Sequence, residues 1–507
     1  MKKTRLVWVL IFMIGFIVRG THLFQPVNTN SWREADVSTI AKNFYLNGTD
    51  IFHPQIAYDG NGPGYVESEF QIYTYLIALT YKIFGFWEQT GRIISFLASL
   101  AAMLVFFRFS RYLLDSKTAI ASSLFFAISP LLMAISVGIQ PESLMFFFYV
   151  CSAYTFVRWL DSNSKKFYWL AILFTALALL CKITAANIGI FFLLMIITRN
   201  GWKFLYKPKV LILGALSIIP SILWYSYCHK FYVLYGNSLG ISNENPWIGW
   251  DFFTNHSFIF GLIENELLNV WTRSGPFIII LALLFTKLIK KDSFLLGLFW
   301  YTSVSVFYII TSRTTASSWA WYYHIFSIPS VAILLGSSVV ELYNTHFPNL
   351  NFRKKIALSK PAINKSSAIS LILILAASFF LLSCYIYLVK TKPAIYQTSK
   401  FYAYKDTLKE LIPKNSLILA NGGPSKDVLG YSLAVEIGYF YYWLECKGYS
   451  ISEENLSLKN IEAFKKKGVD YFVAEDYKIR LVPGLEDELK KNLKVIYECN
   501  GCTLFKL

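Results

Sequence analysis

Residues 31–44 read "SWREADVSTIAKNF" and place Arg33, Glu34 and Asp36 directly after a first apolar segment. Ser31, followed three residues later by Glu34, is a capping-box pattern that predicts the start of a helix. Glu34 and Asp36 then point about 200° apart and cannot face the same pocket. Four apolar positions share one face of this helix: Val37, Ile40, Ala41 and Phe44. The stretch is either a capped surface helix or a helix that brings one carboxylate to a site beside a membrane.

The composition around this stretch is that of a polytopic membrane protein. Of 507 residues, 55% are hydrophobic and only 16% are charged, whereas soluble domains carry about 25% charged residues. The net charge of +17 does not indicate nucleic acid, because the basic residues fall in short loops between apolar runs, as in cytoplasmic loops. The N-terminal "MKKTRLVWVLIFMIGF" has no small-residue cleavage site after it, which predicts a retained first helix.

Eleven apolar runs are long enough to predict membrane-spanning helices, since a bilayer core of roughly 30 Å needs about 20 residues. A twelfth run, 70–87, is assigned to an interfacial helix, because counting it as a span would invert every later loop and violate the positive-inside rule. The N-terminus is then cytoplasmic, and residues 25–91 and 229–275 form external loops. The eleven expected spans are about 6–24, 92–110, 118–134, 142–159, 167–182, 183–199, 209–228, 276–290, 293–311, 321–342 and 366–389.

The chain changes character near residue 390. Residues 1–390 are predicted to form the membrane domain. Residues 391–507 are more polar and alternate short β-rich runs with a helical segment, which predicts a small α/β domain on the external side. In "YECNGCTLF" an Asn-Gly turn joins two strand-like runs, a strong hairpin signal that sets Cys499 opposite Cys502 within disulfide range. A redox or zinc role for this pair is less favoured, because no second ligand pair is visible.

Five segments of the first 190 residues carry a family resemblance through their order and spacing. They are "WREADVSTIAKNF", "NGPGYVESEFQIYTYLIALTYKIFG", "GRIISFLASL", "AISPLLMAISVGIQPESLMFF" and "LALLCKITA". Together they resemble the N-terminal module of the GT-C glycosyltransferases, which include the protein O-mannosyltransferases and the aminoarabinose transferases that modify lipid A. The resemblance implies an inverting transferase of the bacterial cytoplasmic (inner) membrane. Its donor is a polyprenyl (undecaprenyl-type) phosphate sugar, and its external acceptor is a glycan, a lipid or a protein.

The chain departs from the family at the expected catalytic base. Many members carry Asp-Glu at the head of the first external loop, where this chain has Arg33-Glu34. The resemblance therefore leaves Glu34 or Asp36 as the general base that takes the acceptor proton. Asp36 is favoured, because Glu34 has a capping role open to it.

The departing phosphate needs cations or hydrogen-bond donors to hold it. Cations on the external side are the candidates for this role, and Lys182 is the strongest because it ends an apolar run. A lysine that snorkels to the headgroups is the alternative for Lys182, and structural roles are the alternative for the other candidates. The expected phosphate-binding residues are Lys182, Arg92, Arg313 and His324, and the expected substrate-binding residues are Arg33, Glu69, Glu142, Tyr322 and Tyr323. A divalent metal is possible, but the sequence assigns it no ligand set.

Two other functions fit a chain of this composition. A transporter or flippase for a lipid-linked glycan would usually place carboxylates near the bilayer midplane, whereas here they cluster in loops on one face. A non-catalytic membrane scaffold would leave Asp36, Glu69 and Lys182 without a shared purpose. The sequence therefore favours the glycosyltransferase.

Overall fold

The computed structural model describes residues 2–27, 31–48, 50–242, 247–346, 365–396, 399–426, 435 and 438–507. Helices dominate the part before residue 396. They are α1 (Lys2–Gly20), α2 (Trp32–Asn47), α3 (Ile72–Phe84), α4 (Thr90–Leu113), α5 (Ser116–Ala127), α6 (Pro130–Ile135), α7 (Glu142–Ser162), α8 (Lys165–Cys181), α9 (Ile188–Asn200), α10 (Pro208–Tyr235), α11 (His256–Asn265), α12 (Gly275–Phe285), α13 (Asp292–Ile310), α14 (Ser312–Thr315), α15 (Ile328–His346), α16 (Lys365–Ile386) and α17 (Lys392–Ile395).

Within the described residues, seven helical segments are long and apolar enough to cross a membrane: Thr90–Leu113, Glu142–Ser162, Ile183–Asn200, Pro208–Tyr235, Asp292–Ile310, Ser318–His346 and Ile374–Ile395. An eighth is possible if His256–Val270 and Gly275–Phe285, which meet at 90°, form one broken span. Seven of the eleven expected spans correspond to these helices, and the other four fall on α1, α5, α8 and α12. The protein is thus a multi-pass membrane protein, while the count of eleven spans stays a prediction.

Helix α3 covers the run that the sequence assigned to an interfacial helix. Its 13 residues rise roughly 20 Å, which is too short for a bilayer core of about 30 Å. Tyr73 anchors α3 to the membrane domain by donating its hydroxyl hydrogen bond to the carbonyl of Gly91 at 2.7 Å. This length supports the interfacial placement of α3.

A five-stranded sheet with flanking helices follows the last membrane helix. Its strand order is β2-β1-β3-β5-β4; β1 pairs in parallel with β2 and β3, and β5 pairs antiparallel with β3 and β4. Cys499 and Cys502 close the β4–β5 hairpin with a disulfide, and their Cα atoms lie 5.1 Å apart. The elements are α18 (Lys405–Leu411), β1 (Leu417–Asn421), α19 (Gly438–Leu444), β2 (Lys447–Ile451), α20 (Leu458–Ala463), β3 (Val469–Glu475), α21 (Asp476–Ile479), α22 (Leu485–Asn492), β4 (Lys494–Cys499) and β5 (Cys502–Lys506).

The sheet region packs directly on the segment between α2 and α3. The amide of Gly448 donates to the carbonyl of Ala57 at 3.0 Å, and the amide of Gly60 donates to the carbonyl of Gly448 at 2.7 Å. Helix α19 lies so close to α2 that a Cβ at Gly438 would come within 2.9 Å of a carboxylate oxygen of Asp36. The C-terminal region therefore fixes the position of α2, whose first turn carries Arg33.

Candidate functional site

A cavity of about 490 Å³ lies where α2, the segment before α3, the end of α8 and the middle of α10 converge. Its walls are mostly aromatic and apolar, with three charged side chains among them. This composition is typical of a small-molecule site, in which a few polar groups fix the orientation of a ligand. The lining residues are Trp32, Arg33, Glu69, Lys182, Ile183, Ile222, Tyr225, Ser226, Leu239, Gly240, Ile241, Trp247, Trp319, Tyr322 and Tyr323.

The first charged pair of the cavity joins Arg33 to Glu69. Ser31 caps α2 by accepting the amide hydrogen bond of Glu34, and the first turn of the helix then directs Arg33 at the cavity. The guanidinium forms an ion pair with Glu69, and both side chains remain 12% exposed. Although burial opposes the charge, Glu69 and then Glu142 raise the pKa of Arg33 above its ordinary value. Arg33 is therefore a permanent cation with access to the cavity.

The second charged pair joins Lys182 to Glu142. Helix α8 ends at Cys181, and Lys182 adopts an extended backbone that turns its side chain inward. Its ammonium group forms an ion pair with Glu142, the first residue of α7, and lies 4.6 Å and 4.3 Å from the ring centroids of Tyr322 and Tyr323. Both rings attract the cation. Six of the residues predicted from the sequence thus meet here: Arg33, Glu69, Glu142, Lys182, Tyr322 and Tyr323.

Glu34 and Arg92, which were predicted separately as a base and a phosphate-binding residue, pair with each other outside the cavity and have a structural role. Arg92 is fully buried and donates to both carboxylate oxygens of Glu34 at 3.1 and 2.8 Å. Its remaining hydrogen bonds go to the carbonyls of Gln25, Pro26 and Val137. No donor of Arg92 is left for a phosphate, and neither side chain lines the cavity. The prediction that Arg92 binds the donor phosphate and that Glu34 serves as the base is not supported.

Asp36, the favoured base, also lies away from the cavity. Its side chain is only 1% exposed and faces Gly438 of α19 rather than Arg33 or Glu69. The helical geometry predicted this divergence from Glu34, but the position of the C-terminal region above α2 could not be read from sequence. Asp36 is therefore not among the residues that line the cavity.

Arg313 and His324 are likewise not among the cavity-lining residues. Arg313 donates to the carbonyl of Ile248 at 3.5 Å. His324 is fully buried, with Nδ1 2.6 Å from a carboxylate oxygen of Glu266 and Nε2 2.9 Å from the carbonyl of Thr315. Both ring nitrogens are occupied by the protein, so the structure gives His324 a structural role.

Two buried carboxylates are important in the structure but were not among the predicted site residues. Glu266 binds His324, Ser327, Trp271 and Tyr301. It thereby supports the segment that carries Tyr322 and Tyr323. Glu67 lies two residues before Glu69 and binds the loop after α10. In the sequence, the only signal for either was a carboxylate within an apolar context.

Metal ligation has no geometric basis in the part of the chain that the structure describes. No three His, Cys, Asp or Glu side chains there are grouped so that they could hold a metal ion. The cavity itself offers carboxylates that are already paired with cations. We therefore assign no metal ligands.

Comparison with known proteins places this geometry in a fold family. The family model described as dolichyl-phosphate-mannose-protein mannosyltransferase matches residues 71–225. An uncharacterized protein of Aquifex aeolicus is 24% identical, and the match covers 41% of this chain and 44% of that relative. The chain thus spans less than half the length of that curated relative.

Two solved structures share the fold over nearly the whole of this chain. ArnT from Cupriavidus metallidurans bound to undecaprenyl phosphate superposes with a TM-score of 0.60 at 12% identity, over 99% of this chain and 97% of that one. The oligosaccharyltransferase AglB from Archaeoglobus fulgidus, in complex with an inhibitory peptide and a dolichol-phosphate, gives a TM-score of 0.55 at 14% identity, over 93% and 69%. The chain has the GT-C fold of the polyprenyl-phosphate-dependent glycosyltransferases, as the resemblance implied.

Proposed function

We propose that the protein is a membrane glycosyltransferase that moves a sugar from a polyprenyl-phosphate donor to an acceptor outside the cytoplasm. One observation carries this proposal: Arg33, Lys182 and Glu69 converge on a single aromatic cavity. The structural relatives bound to undecaprenyl phosphate and to dolichol-phosphate support a donor of this class. The acceptor is a glycan, a lipid or a protein at the external face of a bacterial cytoplasmic membrane, with the N-terminus on the cytoplasmic side.

Arg33 and Lys182 hold the donor phosphate. Both are cations that reach the cavity from different elements, so they can contact one phosphate from two sides. Charge-assisted hydrogen bonds of this kind stabilise the negative charge that develops on a leaving phosphate. In the ligand-free state Glu69 and Glu142 neutralise the two cations, which keeps the cavity from holding unpaired buried charge.

Glu69 is the general base. Glu69 is among the residues that line the cavity, beside Arg33 and on the same cavity as Lys182. The donor phosphate competes for the guanidinium of Arg33, and Glu69, released from this ion pair, accepts the acceptor's hydroxyl proton on the side of the anomeric carbon opposite the phosphate. The acceptor oxygen then bonds to the anomeric carbon while the carbon–oxygen bond to the phosphate breaks, with inversion. Polyprenyl phosphate leaves with the electron pair of that bond.

Aromatic side chains form the remaining walls. Rings such as Trp247 and Trp319 offer the apolar faces on which sugar rings stack. Tyr322 and Tyr323 already contact Lys182, so they position this cation beside the place where the phosphate binds.

The proposal is tested by separating binding from transfer. Binding of undecaprenyl phosphate to the purified protein is measured by native mass spectrometry, with undecaprenol, which lacks the phosphate, as the matched lipid control. We expect Arg33→Gln and Lys182→Met to weaken phosphate-dependent binding about tenfold each, since each removes one charge-assisted contact. Equal binding of the two lipids by the wild type would refute a phosphate site.

Transfer is measured in the native host, as surface glycan composition and accumulated polyprenyl-phosphate sugar. We expect Glu69→Gln to lower transfer about 10²- to 10⁴-fold while the donor accumulates, because a general base contributes that much. Asp36→Asn should transfer normally once the protein is inserted. Loss of transfer in Asp36→Asn but not in Glu69→Gln would identify Asp36 on α2 as the base. Normal transfer in both variants would favour a transporter or a scaffold.

A further inference from the structure

We propose that Glu67 is a positioning residue that fastens residues 237–242 as one wall of the donor cavity and thereby keeps water from the anomeric carbon. This inference rests on the proposed function for its chemistry, but its structural part stands on contacts alone. Glu67 is 1% exposed, does not line the cavity and touches no predicted catalytic group.

The carboxylate of Glu67 binds three side chains from the end of α10 and the loop after it. Ser238 donates its hydroxyl to one oxygen at 2.7 Å, and Ser242 donates to the other at 2.9 Å. The Nδ1 atom of His229 lies 2.9 Å from the same oxygen as Ser242. A buried carboxylate with this many partners is an anchor, because each partner group would otherwise lose a charge-assisted hydrogen bond.

The backbone repeats the same connection. The amide of Glu67 donates to the carbonyl of Asn237 at 3.0 Å, and the amide of Leu239 donates to the carbonyl of Glu67 at 2.8 Å. Together these bonds form an isolated parallel bridge between Glu67 and Ser238. The loop is therefore attached to Glu67 by both main chain and side chain.

Ser238 transmits the attachment to the cavity wall. While its hydroxyl donates to Glu67, its oxygen accepts the amide hydrogen bonds of Ile241 and Ser242 at 3.2 and 3.1 Å. This folds the loop into a tight turn in which Gly240 adopts a φ of +72°, a conformation that glycine adopts without strain. The turn presents Leu239, Gly240 and Ile241 to the cavity.

The segment that carries Glu67 and Glu69 is itself held in place by α10. The indole of Trp224 on α10 donates to the carbonyl of Ser68 at 2.8 Å, and Ser68 lies between Glu67 and Glu69. The loop wall and the proposed base are thus held by one short segment. Sugar transfer competes with attack by water on the same carbon, so a closed wall favours the acceptor hydroxyl over water.

The test uses hydrogen exchange of the full-length protein in detergent, with and without undecaprenyl phosphate. We expect Glu67→Ala to raise amide exchange in 237–242 by about tenfold or more, because local opening loses at least one charge-assisted bond. Ser238→Ala should also raise amide exchange in 237–242. The increase in the double variant should be smaller than the sum of the increases in the two single variants. Glu475→Gln, a buried carboxylate in the C-terminal sheet, is the matched control and should leave 237–242 protected.

The second readout is the ratio of free sugar to transferred sugar when labelled polyprenyl-phosphate sugars extracted from the host are supplied. We expect this ratio to rise in Glu67→Ala while phosphate-dependent binding persists. Unchanged protection of 237–242 in both Glu67→Ala and Ser238→Ala overturns the inference, as does increased exchange with an unchanged ratio. If the wild type itself neither transfers nor releases sugar, the proposed function fails, and the exchange data still decide whether Glu67 holds the loop.

Discussion

Replacing Glu34 with Gln separates a structural carboxylate from a catalytic one. In the native structure two guanidinium nitrogens of Arg92 donate to the two oxygens of Glu34, and the amide of Ile139 donates to one of them at 3.1 Å. A glutamine keeps one acceptor oxygen, but its NH₂ group faces a guanidinium N–H. The change therefore replaces an ion pair with one hydrogen bond to a neutral acceptor and one donor–donor contact.

The cost follows from the burial of both groups. Arg92 is fully buried and Glu34 is 1% exposed, so water cannot replace the lost partner. Removing one member of a buried pair typically costs 3–5 kcal/mol. Three carbonyl acceptors still bind Arg92, which places the expected loss at about 3 kcal/mol, the lower end of that range.

The assay is the unfolding midpoint of the purified protein in mixed micelles with increasing SDS, compared with transfer in the host. Glu69→Gln is the comparison variant, because the ion pair that it breaks opens on a cavity that water can enter, so we expect a smaller loss of stability than for Glu34→Gln. We expect Glu34→Gln to lose stability and Glu69→Gln to lose transfer. A Glu34→Gln protein that has the same unfolding midpoint as the wild type but transfers no sugar would refute the structural role of Glu34.

Two further predictions concern the C-terminal region. Maleimide labelling of the denatured, unreduced protein should modify five of the seven cysteines, because Cys499 and Cys502 are joined by a disulfide. Removing this disulfide by Cys502→Ser should destabilise the region by about 2 kcal/mol, the value expected for a closed loop of four residues. Although burial opposes it, hydrogen bonds from Lys409 and then Lys42 lower the pKa of Glu445 below its ordinary value of 4.5. Docking on α2 should therefore be fully stable above that value and weaken as the pH falls through the lowered pKa, as measured by proteolysis of α2, and Glu445→Gln should abolish this dependence.

The local features of the fold were predictable from the sequence because they depend on near neighbours. Ser31 caps α2 as the capping box predicted, and the Asn-Gly turn forms the β4–β5 hairpin. The apolar run 70–87 contains a helix too short to span, which supports the assignment made from loop charge. Each of these follows from spacing along one segment or from the distribution of charge among the loops.

The partners of the charged residues were not predictable, because they depend on tertiary packing. Glu142 and Lys182 were each expected near the site, but their pairing joins α7 to the end of α8 across 40 positions. The pairing of Glu34 with Arg92 spans 58 positions and removes both from the site. A sequence gives no distance between such residues. It can therefore place a carboxylate in a loop, but it cannot tell whether that carboxylate faces the cavity or a structural partner.

Glu34 and Glu69, which both lie between α1 and α4, show what makes that distinction physically. Glu34 and Glu69 carry the same side chain, and each pairs with one arginine. The partner of Glu34 is fully enclosed and saturated by carbonyl groups, so exchanging it for a substrate would leave a buried charge unpaired. The partner of Glu69 opens on a cavity that also holds Lys182, and under the proposed function the donor phosphate binds beside these two cations. The proposal that Glu69, and not Glu34, acts as the base rests on this difference between their arginine partners.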